Sequence, residues 1–237
     1  MEQQVNIYGG RDPRDIPAYS VAQVSRYLGV PLATVRSWIF GTTYRTKEGE
    51  KRFQPLIKLP DLHLRVLSFT NLVEVHVLRS IREVHGVHLD RVRKAILELE
   101  TNFTATHPLA KIDLHTDGLD LFVQSLEKFV NVSEGRQIVI REVVEGYLRR
   151  IERDEQQLAQ RLYPFTRTGN SDAPRLIVID PRIAFGRPVL VGTNIPTDVL
   201  ASRYKAGESI DQLSTDYRCD RAKVEEAIRC EFFPDAA

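Results

Sequence analysis

Cysteine is nearly absent from this 237-residue chain: only Cys219 and Cys230 occur, eleven positions apart in a stretch that reads as helix. That spacing offers no disulfide framework, so buried or half-buried free thiols are expected. No apolar run approaches the roughly 20 residues that span a bilayer. The opening Met1-Glu2-Gln3-Gln4 has neither the basic nor the apolar region of a secretory signal, so a cytoplasmic location without membrane contact is expected. The histidines (His63, His76, His85, His88, His107, His115) lack zincin spacing and paired cysteines, which argues against a metal site. A phosphate-cradling glycine loop and a Gly-x-Ser-x-Gly elbow are also missing, and Gly186-Arg187-Pro188 reads as a turn. Neither catalytic residues nor a cofactor are assigned, and the chain reads as a non-enzyme.

Net charge is also small, +1, which evenly spread would argue against a polyanionic partner. The spread is uneven. Between Tyr19 and Pro60, Arg26, Arg36, Arg45, Lys47, Lys51, Arg52 and Lys58 stand against Glu48 and Glu50, a local charge of +5. From Gly207 onward, eight acids oppose Arg218, Arg221, Lys223 and Arg229, a local charge of −4. The two ends are built for different partners.

Hydrophobic content of 42% and charged content of 27% suit a globular chain long enough for two compact domains. Residues 1–18, with Gly9-Gly10, Pro13 and Pro17, read as a loose arm. Ser20 can cap a helix carrying Val21, Val24 and Leu28; Gly29 ends it, Val30-Pro31 turns, and a second helix from Leu32 carries Val35 and Ile39 inward. Thr42–Lys47 and Lys51–Ile57, around Glu48-Gly49-Glu50, read as a hairpin, or wing. Helical patterns follow over Phe69–Val84, Leu89–Leu99, Leu119–Val130 and Arg141–Leu158. A linker is expected over 165–175, where Gly169, Asn170, Ser171 and Asp172 cluster. Beyond it, Leu176–Pro181 and Pro188–Val191 read as strands, and Pro196–Ala206, Ser209–Tyr217 and Arg221–Glu231 as helices. The expected fold is mainly α: a winged helix-turn-helix over 19–60, a helical middle over 61–164, and a small C-terminal helical domain over 176–237. This last domain carries short β strands and a helix-turn-helix-like pair.

A weak internal repeat organises the functional reading. Leu28-Gly-Val-Pro-Leu-Ala-Thr-Val35-Arg-Ser-Trp-Ile39 aligns without gaps with His85-Gly-Val-His-Leu-Asp-Arg-Val92-Arg-Lys-Ala-Ile96. Tyr217-Arg-Cys-Asp-Arg-Ala-Lys-Val224-Glu-Glu-Ala-Ile228 keeps the same Val and Ile offsets. Packing alone can generate such turns between helices, so the outward residues must discriminate. The first phrase offers Thr34, Arg36, Ser37 and Trp38 backed by Arg45, Lys47, Lys51 and Arg52, groups that bond phosphates and base edges; these are the candidate DNA contacts. In the second phrase Arg91, Arg93 and Lys94 are offset by Asp90, Glu98 and Glu100, which suits a core or a dimer interface. The third puts Glu225 where the first has Arg36, followed by Glu226, and carboxylates facing phosphates are repelled. Protein binding is expected there.

Tyr19-Ser-Val-Ala-Gln-Val-Ser-Arg-Tyr-Leu-Gly-Val-Pro-Leu-Ala-Thr-Val-Arg-Ser-Trp38 resembles the MerR-type helix-turn-helix. Ile179-Asp-Pro-Arg-Ile-Ala-Phe-Gly-Arg-Pro-Val-Leu-Val-Gly-Thr-Asn-Ile-Pro-Thr197, continuing to about Glu231, resembles the domain of unknown function numbered family 433, whose usual Gly-Thr-Arg is Gly192-Thr193-Asn194 here. Proteins resembling this arrangement are VapB-type antitoxins. The resemblance implies a PIN-like ribonuclease toxin as one partner and the operator of the pair's own operon as the other, with a homodimer or a larger hetero-oligomer as the working assembly. Arg175, Arg182 and Arg187 are candidates to reach the toxin's metal-binding carboxylates, since an Arg–carboxylate pair is charge-assisted and bidentate. Two other readings stand beside this one: a MerR-like transcription regulator whose C-terminal domain senses a small ligand, and a protein-binding adaptor.

Overall fold

The computed structural model describes residues 8–46, 49–83, 89–103, 106–111, 117–129, 134–167 and 173–232. The N-terminal unit consists of α1 (Val21–Leu28), α2 (Leu32–Phe40), β1 (Thr42–Thr46) and β2 (Gly49–Phe53). Helix α1 starts where its sequence says: Gln23 N–H donates to Ser20 Oγ at 3.2 Å, and Ser20 N–H returns to Gln23 Oε1 at 2.9 Å. Such a reciprocal box satisfies two amides a helix start otherwise leaves unpaired. Gly41, at φ +75°, makes the break from α2 into the wing. A Cβ there would overlap the Phe53 carbonyl oxygen, so only glycine lets the two strands of the wing meet.

The middle is built around α3 (Phe69–Glu83), with α4 (Leu89–Phe103), α5 (Pro108–Lys111), α6 (Asp117–Phe129) and α7 (Glu134–Leu148) about it. Every residue of α3 from Phe69 to Ile81 is buried, so polar members must find partners inside. Asn71 Nδ2 donates to the Lys58 carbonyl at 2.9 Å and to Glu74 Oε2 at 3.1 Å, and Arg79 donates to the Leu28 carbonyl. His76 Nε2 lies 3.0 Å from the Tyr147 carbonyl oxygen. Burial, with Arg79 and Arg150 nearby, pushes the His76 pKa down to about 3, so the ring is neutral.

Two expectations about this region change, and a third falls partly outside the described residues. Helix α7 stops at Leu148, and the anticipated helix to Leu158 is instead an antiparallel hairpin of β3 (Ile151–Arg153) and β4 (Ala159–Leu162). Asp154 turns the chain: its Oδ1 accepts from the amides of Gln156 at 3.0 Å and Leu158 at 2.9 Å, bonds that compete with helix. Residues 8–18 are tied down and not loose. Ala18 N–H and Tyr19 N–H donate to the Leu67 carbonyl at 2.8 and 2.9 Å, and Arg14 binds Asp12 and, at 2.6 Å, Asp154. In the linker, residues 168–172 lie outside the described residues, but its flanks are anchored. Arg150, 3% exposed, donates to the carbonyls of Tyr163, Pro164 and Ala173 at 3.0, 3.1 and 2.6 Å. Phe165 packs beneath that guanidinium, 4.6 Å from ring centre to Cζ.

The C-terminal part pairs β5 (Ile177–Val178) with β6 (Val189–Leu190), antiparallel, and bridges to β4 through Leu162 and Ile179. Helices α8 (Thr197–Lys205), α9 (Ile210–Tyr217) and α10 (Arg221–Glu231) close over Ile177, Leu190, Leu200, Leu213, Val224 and Ala227. Helices α9 and α10 are the expected helix-turn-helix-like pair, and the fold is mainly helical throughout. Helix α10 also reaches α1, where Glu231 Oε2 lies 3.3 Å from Arg26 Nε. Among the described residues no helix is long and apolar enough to cross a membrane.

Candidate nucleic-acid interface

Helix α2 buries Val35, Trp38 and Ile39, the i, i+3, i+4 stripe of a helix packed on one side. Trp38 is therefore corrected from a candidate DNA contact to a core residue: it is 0% exposed, because its place three residues after Val35 turns it inward. The opposite side presents Ala33 and Ser37 at its centre, and helical spacing puts Thr34 and Arg36 on its two borders. Arg36 is exposed and makes no hydrogen bond or ion pair among the described residues. On the other border Arg82, from the end of α3, donates to Thr34 Oγ1 at 2.6 Å, and Arg65 lies 4.6 Å from the Phe40 ring centre. Cations thus flank both edges of the helix.

The wing supplies more. Its register pairs Thr42 with Phe53, Thr43 with Arg52 and Arg45 with Glu50. Phe53 is buried, so the alternate face carrying Thr43, Arg45, Glu50 and Arg52 points to solvent. Arg45 Nε sits 3.6 Å from Glu50 Oε1, an exposed pair worth little on its own. Lys47 and the side chain of Lys51 lie outside the described residues. The hairpin is held to α2 by Leu56 N–H and Ile57 N–H, which donate to the Trp38 carbonyl at 2.7 and 3.2 Å.

The equivalent positions in the other two phrases are already occupied. Arg93, the counterpart of Arg36 in the second phrase, donates to the Pro55 carbonyl at 2.8 Å and covers the Phe53 ring at 4.7 Å, bracing the wing from behind. The turn of that phrase, residues 85–88, lies outside the described residues. In the third, Glu225 accepts from Arg221 Nε at 2.9 Å, and Glu226 does not face outward as expected. It is buried beneath Thr166, Arg167 and Arg229, closing the linker onto α10. Burial opposes its charge, but Arg167, Thr166 and Arg229 outweigh that and hold its pKa below the usual carboxylate range. Sequence reasoning missed Arg65 and Arg82, which lie outside the basic segment in sequence and reach this face only through tertiary packing.

Two of the three arginines assigned to toxin contact flank one turn. Arg182 and Arg187 are exposed on either side of the turn Ala184–Gly186, with Arg187 Nη1 3.2 Å from Asp198 Oδ2. Arg175 lies 5.7 Å from the centre of the Tyr163 ring. Tyr163 also helps line an open cleft of about 370 Å³ with Arg161, Val178, Ile183, Val191 and the Gly192-Thr193-Asn194 turn. Arg161 in that cleft is already paired with Asp180 at 3.1 Å and Glu152 at 3.3 Å. No group of three or more His, Cys, Asp or Glu side chains placed to hold a metal occurs among the described residues.

Two families match this chain. The one described as "Putative DNA-binding HTH domain" covers residues 17–96, and "Protein of unknown function (DUF433)" covers residues 177–229. Among curated proteins of Mycobacterium tuberculosis, "Putative antitoxin VapB45" is 29% identical over 231 residues, spanning 90% of this chain and 93% of the relative. "Uncharacterized protein Rv2308" is 25% identical, spanning 90% of each. The crystal structure of Rv2018 from the same organism superposes with a TM-score of 0.63 at 25% identity, covering 91% of this chain and 98% of that one. None of these descriptions names a catalytic activity. The chain joins an N-terminal helix-turn-helix domain to a C-terminal domain of the DUF433 type, and it is homologous to a putative VapB-type antitoxin.

Proposed function

We propose that the protein is the antitoxin of a toxin–antitoxin pair: it binds the operator of its own operon through α2 and the wing, and neutralises a PIN-like ribonuclease toxin by direct contact through its C-terminal half. The observation that carries the DNA half is the state of Arg36. Of three arginine or glutamate residues at equivalent places in the repeat, it alone is left to solvent; Arg93 and Glu225 are engaged within the chain. Small Ala33 and Ser37 let α2 approach a groove closely, while Arg36 on one border and Arg82 with Thr34 on the other reach the two phosphate walls. Arg45 and Arg52 extend the contact along one backbone. A homodimer places two such helices about 34 Å apart on a palindromic site. For the toxin half, Arg182 is the better candidate to enter a carboxylate-lined site, since Arg187 is held by Asp198 and Arg175 rests over Tyr163.

A mobility shift on the DNA upstream of the gene tests the reading. Arg36→Ala should weaken binding about tenfold on specific and random DNA alike and reduce the slope of log K against log salt by about one. Unchanged affinity and slope would exclude Arg36 as a phosphate contact.

A further inference from the structure

The turn between Arg182 and Arg187 carries an unusual backbone conformation. Ala184, Phe185 and Gly186 run at φ +49°, +55° and +78°, three successive left-handed residues of which only the last is glycine. L-residues visit this region singly and reluctantly, and a non-glycine residue there marks a conformation that its surroundings impose. The imposition is visible. Ile183 N–H donates to the Asp180 carbonyl at 3.0 Å, Gly186 N–H to Ile183 at 2.9 Å and Arg187 N–H to Ala184 at 3.2 Å. Tyr19 Oη donates from behind to the Gly186 carbonyl at 3.0 Å. Buried Asp180 accepts the Arg182 amide at 2.9 Å on Oδ1 and Arg161 Nε at 3.1 Å on Oδ2. All this fixed geometry lifts one large apolar side chain into water: Phe185 is 78% exposed, the most exposed aromatic among the described residues.

We propose that Phe185 is the anchor by which the C-terminal domain docks a partner protein, entering an apolar socket whose rim carries a carboxylate that meets Arg182. An aromatic held rigidly in its bound position, with little freedom left to lose, is the kind of residue on which binding energy concentrates. Exposed Arg182 sets the sign of the rim, because Arg187 on the other side is already matched by Asp198. A nucleic acid fits less well: two cations, one already paired with Asp198, offer little to a polyanion, and the segment from Gly207 onward is net acidic. The inference rests on the proposed antitoxin role and names the contact by which that role is carried out.

The full chain is co-expressed with the tagged product of the adjacent reading frame, and affinity is measured for the parent chain, Phe185→Ala, Phe185→Gly and Phe185→Trp. Phe185→Ala should lose at least tenfold in affinity, with its thermal midpoint and operator binding unchanged. Phe185→Gly should lose as much while melting about 2–4 °C higher, because glycine relieves the left-handed strain. Phe185→Trp should retain binding. Equal affinity of Phe185→Ala and the parent chain overturns the anchor while leaving the antitoxin reading intact. Loss of operator binding in Phe185→Ala overturns it in favour of nucleic acid. A parent chain that binds operator DNA but not the neighbouring product defeats the antitoxin reading, and the anchor falls with it.

Discussion

Gly186→Ala probes the contact that ties the C-terminal domain to the start of the DNA-binding unit. Tyr19 is 3% exposed, and its hydroxyl meets the Gly186 carbonyl in a buried bond of 3.0 Å. Burial also drives the phenol's pKa far upward, so it stays a donor at every working pH. A Cβ at 186 would overlap Tyr19 Oη and lie 3.0 Å from Cζ. Three costs arise: about 1 kcal/mol for alanine at positive φ, about 1–3 for forcing the ring aside, and about 1–3 for a buried polar pair left unmet. The last two describe one displacement and overlap, so about 3–4 kcal/mol is expected from these sources together. Urea denaturation should show a lower midpoint at constant slope, and the melting temperature should fall by roughly 6–16 °C. Tyr19→Phe removes the atom that clashes, so the double variant should lose about 1–2 kcal/mol less than the two single losses combined. A Gly186→Ala chain within 1 kcal/mol of the parent, or strict additivity, would refute the contact.

Two further outcomes test the placement of single residues. Trp38 is the only tryptophan, and it is fully buried; its emission should lie to the blue and stay there when operator DNA is added, shifting red only on unfolding. A shift on DNA binding would restore it to the interface. Glu226 is held below the ordinary glutamate pKa, so its contribution is present above the unfolded value and is lost as pH falls through the lower folded value. Glu226→Gln should cost about 1–2 kcal/mol at pH 7, a figure kept modest because Arg167 and Arg229 are nearly half exposed, and the gap to the parent should narrow as pH falls below the unfolded glutamate value of about 4.3. A pH-independent gap would assign the loss to packing.

Local signals were readable in the sequence and distant ones were not. Ser20 with Gln23, the Gly29 turn, and Val35 with Ile39 specify their helices through contacts within four residues, and they stand where the pattern puts them. The chemistry of Trp38 suits a DNA contact, but the spacing that turns Val35 inward also turns Trp38 inward. Val144, Leu148 and Ile151 continue a helical stripe in sequence, yet Asp154 captures two amides and Ile151 pairs with Leu162, so the periodicity outruns the helix. Arg65 and Arg82 lay beyond the basic segment, and only α3, buried through its length, brings Arg82 to Thr34.

The threefold phrase shows why an apolar skeleton is silent about function. Val35, Val92 and Val224 are all 0% exposed, and each sets a helix against a core in the same way. The side chains one or two positions past each valine go to different places: Arg36 meets solvent, Arg93 meets the wing, and Glu226 meets Thr166 and Arg167. The helix of the third phrase is turned to internal use so fully that its far end touches α1, through Glu231 and Arg26. Beside that contact, a single peptide unit separates Phe185, which faces outward, from Gly186, which holds Tyr19. The same bond that seats Tyr19, where the DNA-binding unit begins, therefore also fixes the turn that presents Phe185.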